Sequence, residues 1–181
     1  MRDDADLCGD DAGFSLVELA VYIVLIGIIG AIMAAAVLGF FRSEQTVSSL
    51  TNSANESQIF VNVLNQDLRS AREFAVRDGG NTVLASVANK TDPVTWSCVT
   101  WAVSGAGTDL TITRNGNQLL ENVRANGSAP FFATATDVTQ GTGGSLAYDF
   151  RVATNYAGVI DVNGTVSNEA QGDAHAATSC I

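Results

Sequence analysis

The sequence predicts an α+β protein in which one long N-terminal helix packs on an antiparallel β-sheet. An uncharged apolar run fills residues 19–41, and a heptad-like apolar pattern continues from there to residue 79. From Thr82 onward the apolar period becomes two and β-branched and aromatic residues dominate, which is typical of strands. A helix followed only by strands indicates that the helix covers one face of a sheet.

The apolar run is long enough to cross a membrane. As a helix, residues 19–41 would extend about 34 Å, against a hydrocarbon core of about 30 Å. Glu18 immediately precedes the run, and an isolated carboxylate within a membrane costs about 2.5–3.5 kcal/mol on insertion scales. The sequence therefore predicts a positively charged partner for Glu18.

Small residues recur every four positions inside the run, at Gly27, Ala31, Ala35 and Gly39. This spacing places them on nearly one face of a helix, where small side chains let a second helix approach closely. The pattern predicts a helix-packing face. Glycine and alanine are also common in membrane helices of every kind, so the spacing alone leaves that simpler explanation open.

Residues 42–79 are predicted to continue the helix as an amphipathic segment that ends at Gly79 and Gly80. Two interleaved sets of apolar positions repeat at heptad spacing: Val47, Ala54, Val61, Leu68 and Ala75, with Leu50, Leu64 and Ala71 between them. We expect this apolar seam to lie along the sheet of the same chain, with a coiled coil as the alternative.

Residues 80–181 are predicted to form one antiparallel sheet domain, for which the chain has enough length. The apolar period is two from Thr82 onward, and the predicted strands are 94–103, 110–114, 118–123, 131–138, 146–152, 159–162 and 165–167. Asn115-Gly116 predicts a tight hairpin turn, and Asn163-Gly164 predicts another.

Residues 13–19 read Gly-Phe-Ser-Leu-Val-Glu-Leu. This motif resembles the class III leader and N-terminal helix of type IV pilins and type II secretion pseudopilins. In that family a prepilin peptidase cuts after the glycine, the new N-terminal residue is N-methylated, and the glutamate helps to dock each subunit into the filament. The leader differs from the family pattern, because aspartates outnumber Arg2 where a basic stretch is usual.

The resemblance implies a role for each matching residue. Residues 1–13 would be the leader, Gly13 the cleavage site, Phe14 the methylated terminus and Glu18 the assembly residue. Residues 14–41 would be the transmembrane helix that becomes the filament core. The amine of Phe14 on an adjacent subunit would then be the partner of Glu18.

The segment 64–72 and the strands within 96–123 are similar to W-type minor pilins and J-type minor pseudopilins. The resemblance implies a minor type IV pilin whose partners are prepilin peptidase, other major and minor pilins and the pilus assembly platform. It places the chain in the bacterial cytoplasmic membrane with its C-terminal domain exported, and then in a surface pilus. A secretion pseudopilin and a pilus-borne adhesin or DNA-uptake subunit are the alternatives.

The resemblance also bears on the cysteines. Cys8 would be lost with the leader, which leaves Cys98 and Cys180 as a pair in an oxidising compartment. We expect them to form a disulfide, with two unrelated free thiols as the alternative.

Other classes of protein fit the sequence less well. No nucleophile elbow, P-loop or zinc-ligand motif is present, and His175 is the only histidine, so we expect no enzymatic activity, metal or cofactor. A formal net charge of −10 disfavours nucleic acid as a default partner. An adhesin or DNA-uptake subunit would need an exposed patch, for which Arg69, Arg72 and Arg114 are the basic candidates.

Two further interpretations concern the N-terminal run. An ordinary signal anchor, holding an exported domain that never polymerises, would have a similar length. A secretory signal peptide cleaved near Ala34-Ala35-Ala36 fits poorly, because its apolar region would be about 7–15 residues long and its first residues basic. Neither explains the position of Glu18.

Overall fold

The computed structural model describes residues 15–89, 95–135, 143–156, 158–168 and 180–181. As predicted, the architecture is α+β: one long N-terminal helix, α1 (Leu16–Arg69), packs on a curled antiparallel sheet. The chain divides into two compact units, Met1–Glu44 and Gln45–Ile181. The first contains the apolar half of α1, and the second contains the remainder of α1 with all of the described strands.

Eight strands form the sheet in the described part of the chain. They are β1 (Ala71–Arg77), β2 (Thr82–Asn89), β3 (Thr95–Ala106), β4 (Asp109–Arg114), β5 (Asn117–Ala125), β6 (Phe132–Thr134), β7 (Ser145–Thr154) and β8 (Gly158–Ser167). The order is β1-β2-β3-β4-β5-β7-β6, with β8 also paired to β7, and every pair is antiparallel. Because β5 and β6 pair with different stretches of β7, that strand joins three neighbours.

The predicted end of the helix at Gly79 is wrong, since α1 ends ten residues earlier, at Arg69. The following segment forms β1 and pairs with β2, so the assignment of residues 42–79 to the helix is corrected to 42–69. Asp78, Gly79 and Gly80 all have positive φ, at 55°, 66° and 97°, and make the turn between the two strands. A side chain at Gly80 would overlap Pro130, which closes this position to larger residues.

The predicted turn at Asn163-Gly164 is also wrong. Both residues lie inside β8, where they pair with Asp149 and Tyr148 of β7. A Cβ at Gly164 would overlap the Tyr148 hydroxyl, so the glycine permits a close cross-strand approach instead of a turn.

The hairpin predicted at Asn115-Gly116 is confirmed. The φ angles of these two residues are 50° and 79°, and they join β4 to β5 as a two-residue connection. Positive φ at both positions is the requirement of a type I′ turn, which Asn-Gly satisfies better than other dipeptides.

The core of the second unit surrounds Phe60. Its ring packs edge-on against Phe150, Trp101 and Tyr148, with centroid separations of 5.3, 5.5 and 6.1 Å. The fully or nearly buried positions of α1 are Ser57, Phe60, Leu64, Asp67 and Leu68. The predicted apolar seam is therefore buried only in its C-terminal part, because Val47 and Leu50 remain exposed.

Tyr148 gives the fold a specific alkaline sensitivity. Burial raises its pKa above the ordinary 10.0, so the folded state retains the phenol proton after the unfolded chain begins to lose it. The free energy of unfolding should therefore fall as the pH rises from about 10 through the folded-state pKa. Tyr148→Phe should flatten that decline, measured by urea unfolding across alkaline pH. Tyr156→Phe, at an exposed tyrosine, is the control, and an equal flattening in both variants would contradict the assignment.

Candidate functional site

The first candidate site is the apolar half of α1. In the described residues, α1 is the one helix that is long and apolar enough to cross a membrane, and none of its most apolar stretch is buried. Large apolar side chains such as Leu16, Ile26 and Phe40 are exposed over most of their surface. A soluble monomer rarely exposes so continuous an apolar surface, so this segment requires lipid or other apolar helices around it.

Glu18 lies in the first turn of α1. The helix begins just ahead of it, where the Leu19 amide donates to the Ser15 carbonyl at 3.1 Å. The free amides of a first helical turn and the helix dipole favour a carboxylate at this end. No other acidic or basic residue occurs between residues 16 and 41, so Glu18 is the only formal charge in the apolar segment.

The predicted packing face is open. Gly27, Ala31, Ala35 and Gly39 are all exposed, and a Cβ added at either glycine would meet nothing within 4 Å. The face thus has room for the close approach of another helix, and its role in packing stays a prediction. The predicted cleavage and methylation residues, Gly13 and Phe14, lie outside the described residues.

A partly buried ion pair joins the C-terminal part of α1 to the sheet. Asp67 accepts hydrogen bonds from Arg114 Nε at 2.7 Å and Nη2 at 2.9 Å, and from Trp101 Nε1 at 3.1 Å. The Asp67 side chain is 6% exposed and that of Arg114 is 34% exposed. The hydrogen bond to Asp67 raises the pKa of Arg114 above its ordinary value, although partial burial of the guanidinium acts to lower this pKa. The network joins α1 to β3 and β4 at one point.

Cys98 and Cys180 lie at disulfide distance, as predicted, with their Cα atoms 5.6 Å apart. The bond attaches Cys180 to β3, and the Cys180 amide also donates to Glu73 Oε1 at 3.2 Å. Beside it, the Arg72 guanidinium lies 3.8 Å from Glu73. The same guanidinium stands 5.4 Å above the Trp96 ring. Cys180 is thereby attached to both β1 and β3.

These contacts also involve two of the three arginines that were candidates for a basic patch. Arg72 is 4% exposed and contacts Trp96, and Arg114 is held by Asp67. Of the three candidate arginines only Arg69 is exposed. Three arginines therefore do not form a cationic surface for an anionic ligand. The described residues also contain no group of three or more His, Cys, Asp or Glu side chains placed to hold a metal ion.

A groove of about 430 Å³ lies between α1 and β8. Its apolar lining residues are Ala54, Val61, Ile160, Val162 and Tyr148, and Ser57 lines it as a buried polar residue. Its rim consists of the exposed polar lining residues Gln58, Asn62, Asp161 and Asn163. Asp161 at the rim is paired with Arg151, at 2.9 Å between Oδ1 and Nε. The sequence pattern did not indicate this groove, because it depends on β8 continuing through Asn163 and Gly164.

No protein-family model, curated protein or solved structure matches the chain. The likeness to pilins therefore depends on the N-terminal motif and on the agreement of the observed architecture with a pilin-like fold.

Proposed function

We propose that the protein is a minor type IV pilin, a structural subunit that prepilin peptidase processes and that joins or primes a pilus filament. The observation that carries the proposal is the apolar helix segment that has no buried residue in its most apolar stretch and a single charge, Glu18, in its first turn. An anchor needs the apolar length but has no use for a carboxylate at membrane depth. A filament subunit needs both.

The chemistry of assembly follows from that charge. Cleavage after Gly13 would create a new amine at Phe14, four residues before Glu18. An amine brought beside the Glu18 carboxylate of a neighbouring subunit would offset the cost of holding that carboxylate in lipid, which is about 2.5–3.5 kcal/mol. Neighbouring helices would then pack through the small-residue face, because lipid supplies no hydrophobic drive between helices.

The second unit supports export and a rigid subunit. A disulfide between Cys98 and Cys180 persists in an oxidising compartment, which fits a domain carried across the cytoplasmic membrane. The Asp67 network and the buried residues Phe60, Leu64 and Leu68 hold the C-terminal part of α1 on the sheet, so that a displacement of this part of the helix displaces the sheet with it. Both features suit a domain displayed on a cell-surface fibre.

Glu18→Ala tests the assembly role. We expect normal removal of residues 1–13 but at least about a tenfold loss of the subunit from sheared filaments, since loss of about 1.4 kcal/mol per docking contact is tenfold. The readout is the ratio of sheared to membrane-bound subunit by quantitative immunoblot.

Glu44→Ala is the matched control, because Glu44 is also an exposed glutamate of α1 but lies beyond the apolar run. Its incorporation should be unchanged. Normal incorporation of the Glu18 variant would refute the assembly role. A type II secretion pseudopilin remains the alternative, distinguished by loss of protein secretion, without loss of surface pili, when the gene is deleted.

A further inference from the structure

The outer edge of β8 is a long row of main-chain groups. β8 runs over Gly158–Ser167 and pairs with β7 along its full length, while no other described strand pairs with it. The Asn168 amide donates to the Gly144 carbonyl at 3.0 Å, which continues the same register by one residue. In an antiparallel ladder, hydrogen-bonded pairs alternate with non-bonded pairs. The even-numbered residues of β8 therefore bond to β7.

The odd-numbered residues consequently direct their N–H and C=O groups away from the sheet. These residues are Val159, Asp161, Asn163, Thr165 and Ser167. Long exposed edges of this kind are templates for another extended chain, and soluble proteins usually block them with proline, lysine or a bulge. β8 contains neither proline nor lysine, and its register with β7 is unbroken.

The groove lies along this edge. Its β8 lining consists of four consecutive residues, the inward-facing Ile160 and Val162 and the outward-facing Asp161 and Asn163. Residues from both faces of a strand can line one groove only where it follows the edge of the strand. The opposite wall is α1, through Val61 and its neighbours.

We propose that this edge and groove bind an extended peptide segment of a partner protein, which adds to the sheet as a strand beside β8. The main-chain groups of the odd residues would bond to the peptide, and its inward side chains would pack on Val61, Ile160 and Val162. The rim offers amides, and its one carboxylate, Asp161, is paired with Arg151. The partner segment is therefore uncharged, with small or β-branched apolar residues at alternate positions.

A saccharide fits the same groove less well. Sugar rings are held by stacking on exposed aromatic faces, and the aromatic lining residue, Tyr148, is 7% exposed. Its ring is also packed against Phe60 and Phe150, with centroids 6.1 and 6.4 Å away. An extended chain can pair with successive main-chain groups along the strand edge, whereas a sugar has no matching repeat of donors and acceptors.

The test uses the full-length protein in lipid nanodiscs and a random library of 12-residue displayed peptides. Selected peptides are synthesised and their affinities measured for the wild type, Asn163→Pro and Asn163→Ala. Proline at position 163 removes an outward N–H but no hydrogen bond between β8 and β7. Alanine removes the side chain and keeps the N–H. We expect alternating apolar sequences that bind the wild type and N163A similarly and N163P at least tenfold more weakly.

Hydrogen exchange of the wild type provides an independent readout if N163P fails to fold. The amides of the odd residues from 159 to 165 should exchange rapidly in the free protein and slowly with peptide bound. Equal binding to N163P, or a selection without alternating sequences, would overturn the proposal. Protection of these amides in the free protein would overturn it too, because the edge would already be covered by the chain itself or by a second copy.

Discussion

Replacing both Cys98 and Cys180 by serine is expected to lower the free energy of unfolding by about 4 kcal/mol. The disulfide joins residues 82 positions apart, and in the chain-entropy model a crosslink over that distance restricts the unfolded chain by about this amount. Its loss also releases residues 180–181, including the Cys180 amide that donates to Glu73. Because Glu73 is buried, loss of this donor adds to the cost.

The measurement is chemical denaturation of the full-length protein in detergent, under oxidising conditions. Treatment of the wild type with a reductant should reproduce the effect of the double variant, and Cys8→Ser should leave the stability unchanged. Equal stability of the oxidised wild type and the double serine variant would contradict the prediction.

Asp67→Ala is expected to destabilise the protein by about 3 kcal/mol. Removing one partner of a buried ion pair typically costs about 3–5 kcal/mol, and the lower end applies because Arg114 keeps a third of its side chain in water. The change also leaves the buried Trp101 N–H without its acceptor, which contributes to that cost. Trp101 fluorescence and denaturant unfolding report the local and the global effects.

The chain contains a matched control for this experiment. Asp161 and Arg151 form an ion pair of similar length, 2.9 Å, but the two side chains are 58% and 44% exposed. Asp161→Ala should cost about 0–1 kcal/mol, because solvent screens exposed pairs. Asp67→Asn should fall between the two alanine variants, since the amide oxygen still accepts from Trp101. Equal losses at positions 67 and 161 would show that the Asp67 network does not hold the helix on the sheet.

The fold class and most of the sheet followed from the sequence because they depend on local patterns. The apolar run, the change of period near Thr82 and the Asn115-Gly116 turn each act over a few residues, and the structure retains all three. Segment ends were less predictable. Ala71 and Ala75 are four residues apart, a spacing that suits a helix and a strand equally, so the pattern could not reveal that β1 begins there.

The remaining errors depend on long-range contacts. Gly164 resembles a turn glycine until its pairing with Tyr148 of the neighbouring strand β7 is known. Asp67 resembles a solvated helix residue until Arg114, 47 positions away, supplies its charge partner. One signal was available, because Asp67 lies beside Leu68 and three residues after Leu64, on the helix face that carries the apolar seam. A carboxylate on that face requires a partner.

For the candidate assembly residues too, the local sequence predicts their position, whereas their role depends on other molecules. Glu18 and the small-residue face lie on an exposed apolar helix, and their roles stay predictions. Their use in docking depends on a second subunit, which no pattern within one chain contains. The predicted cleavage after Gly13, and with it the new terminus at Phe14, depends in turn on an enzyme that cuts the chain.

The most direct test of the proposed function is the intact mass and N-terminal sequence of the protein recovered from membranes and from sheared surface filaments. A chain that begins at Phe14, with or without one added methyl group, and that occurs in the sheared fraction is the expected result. A chain that keeps Met1, or that begins near Val37, would contradict the pilin assignment and with it the role given to Glu18.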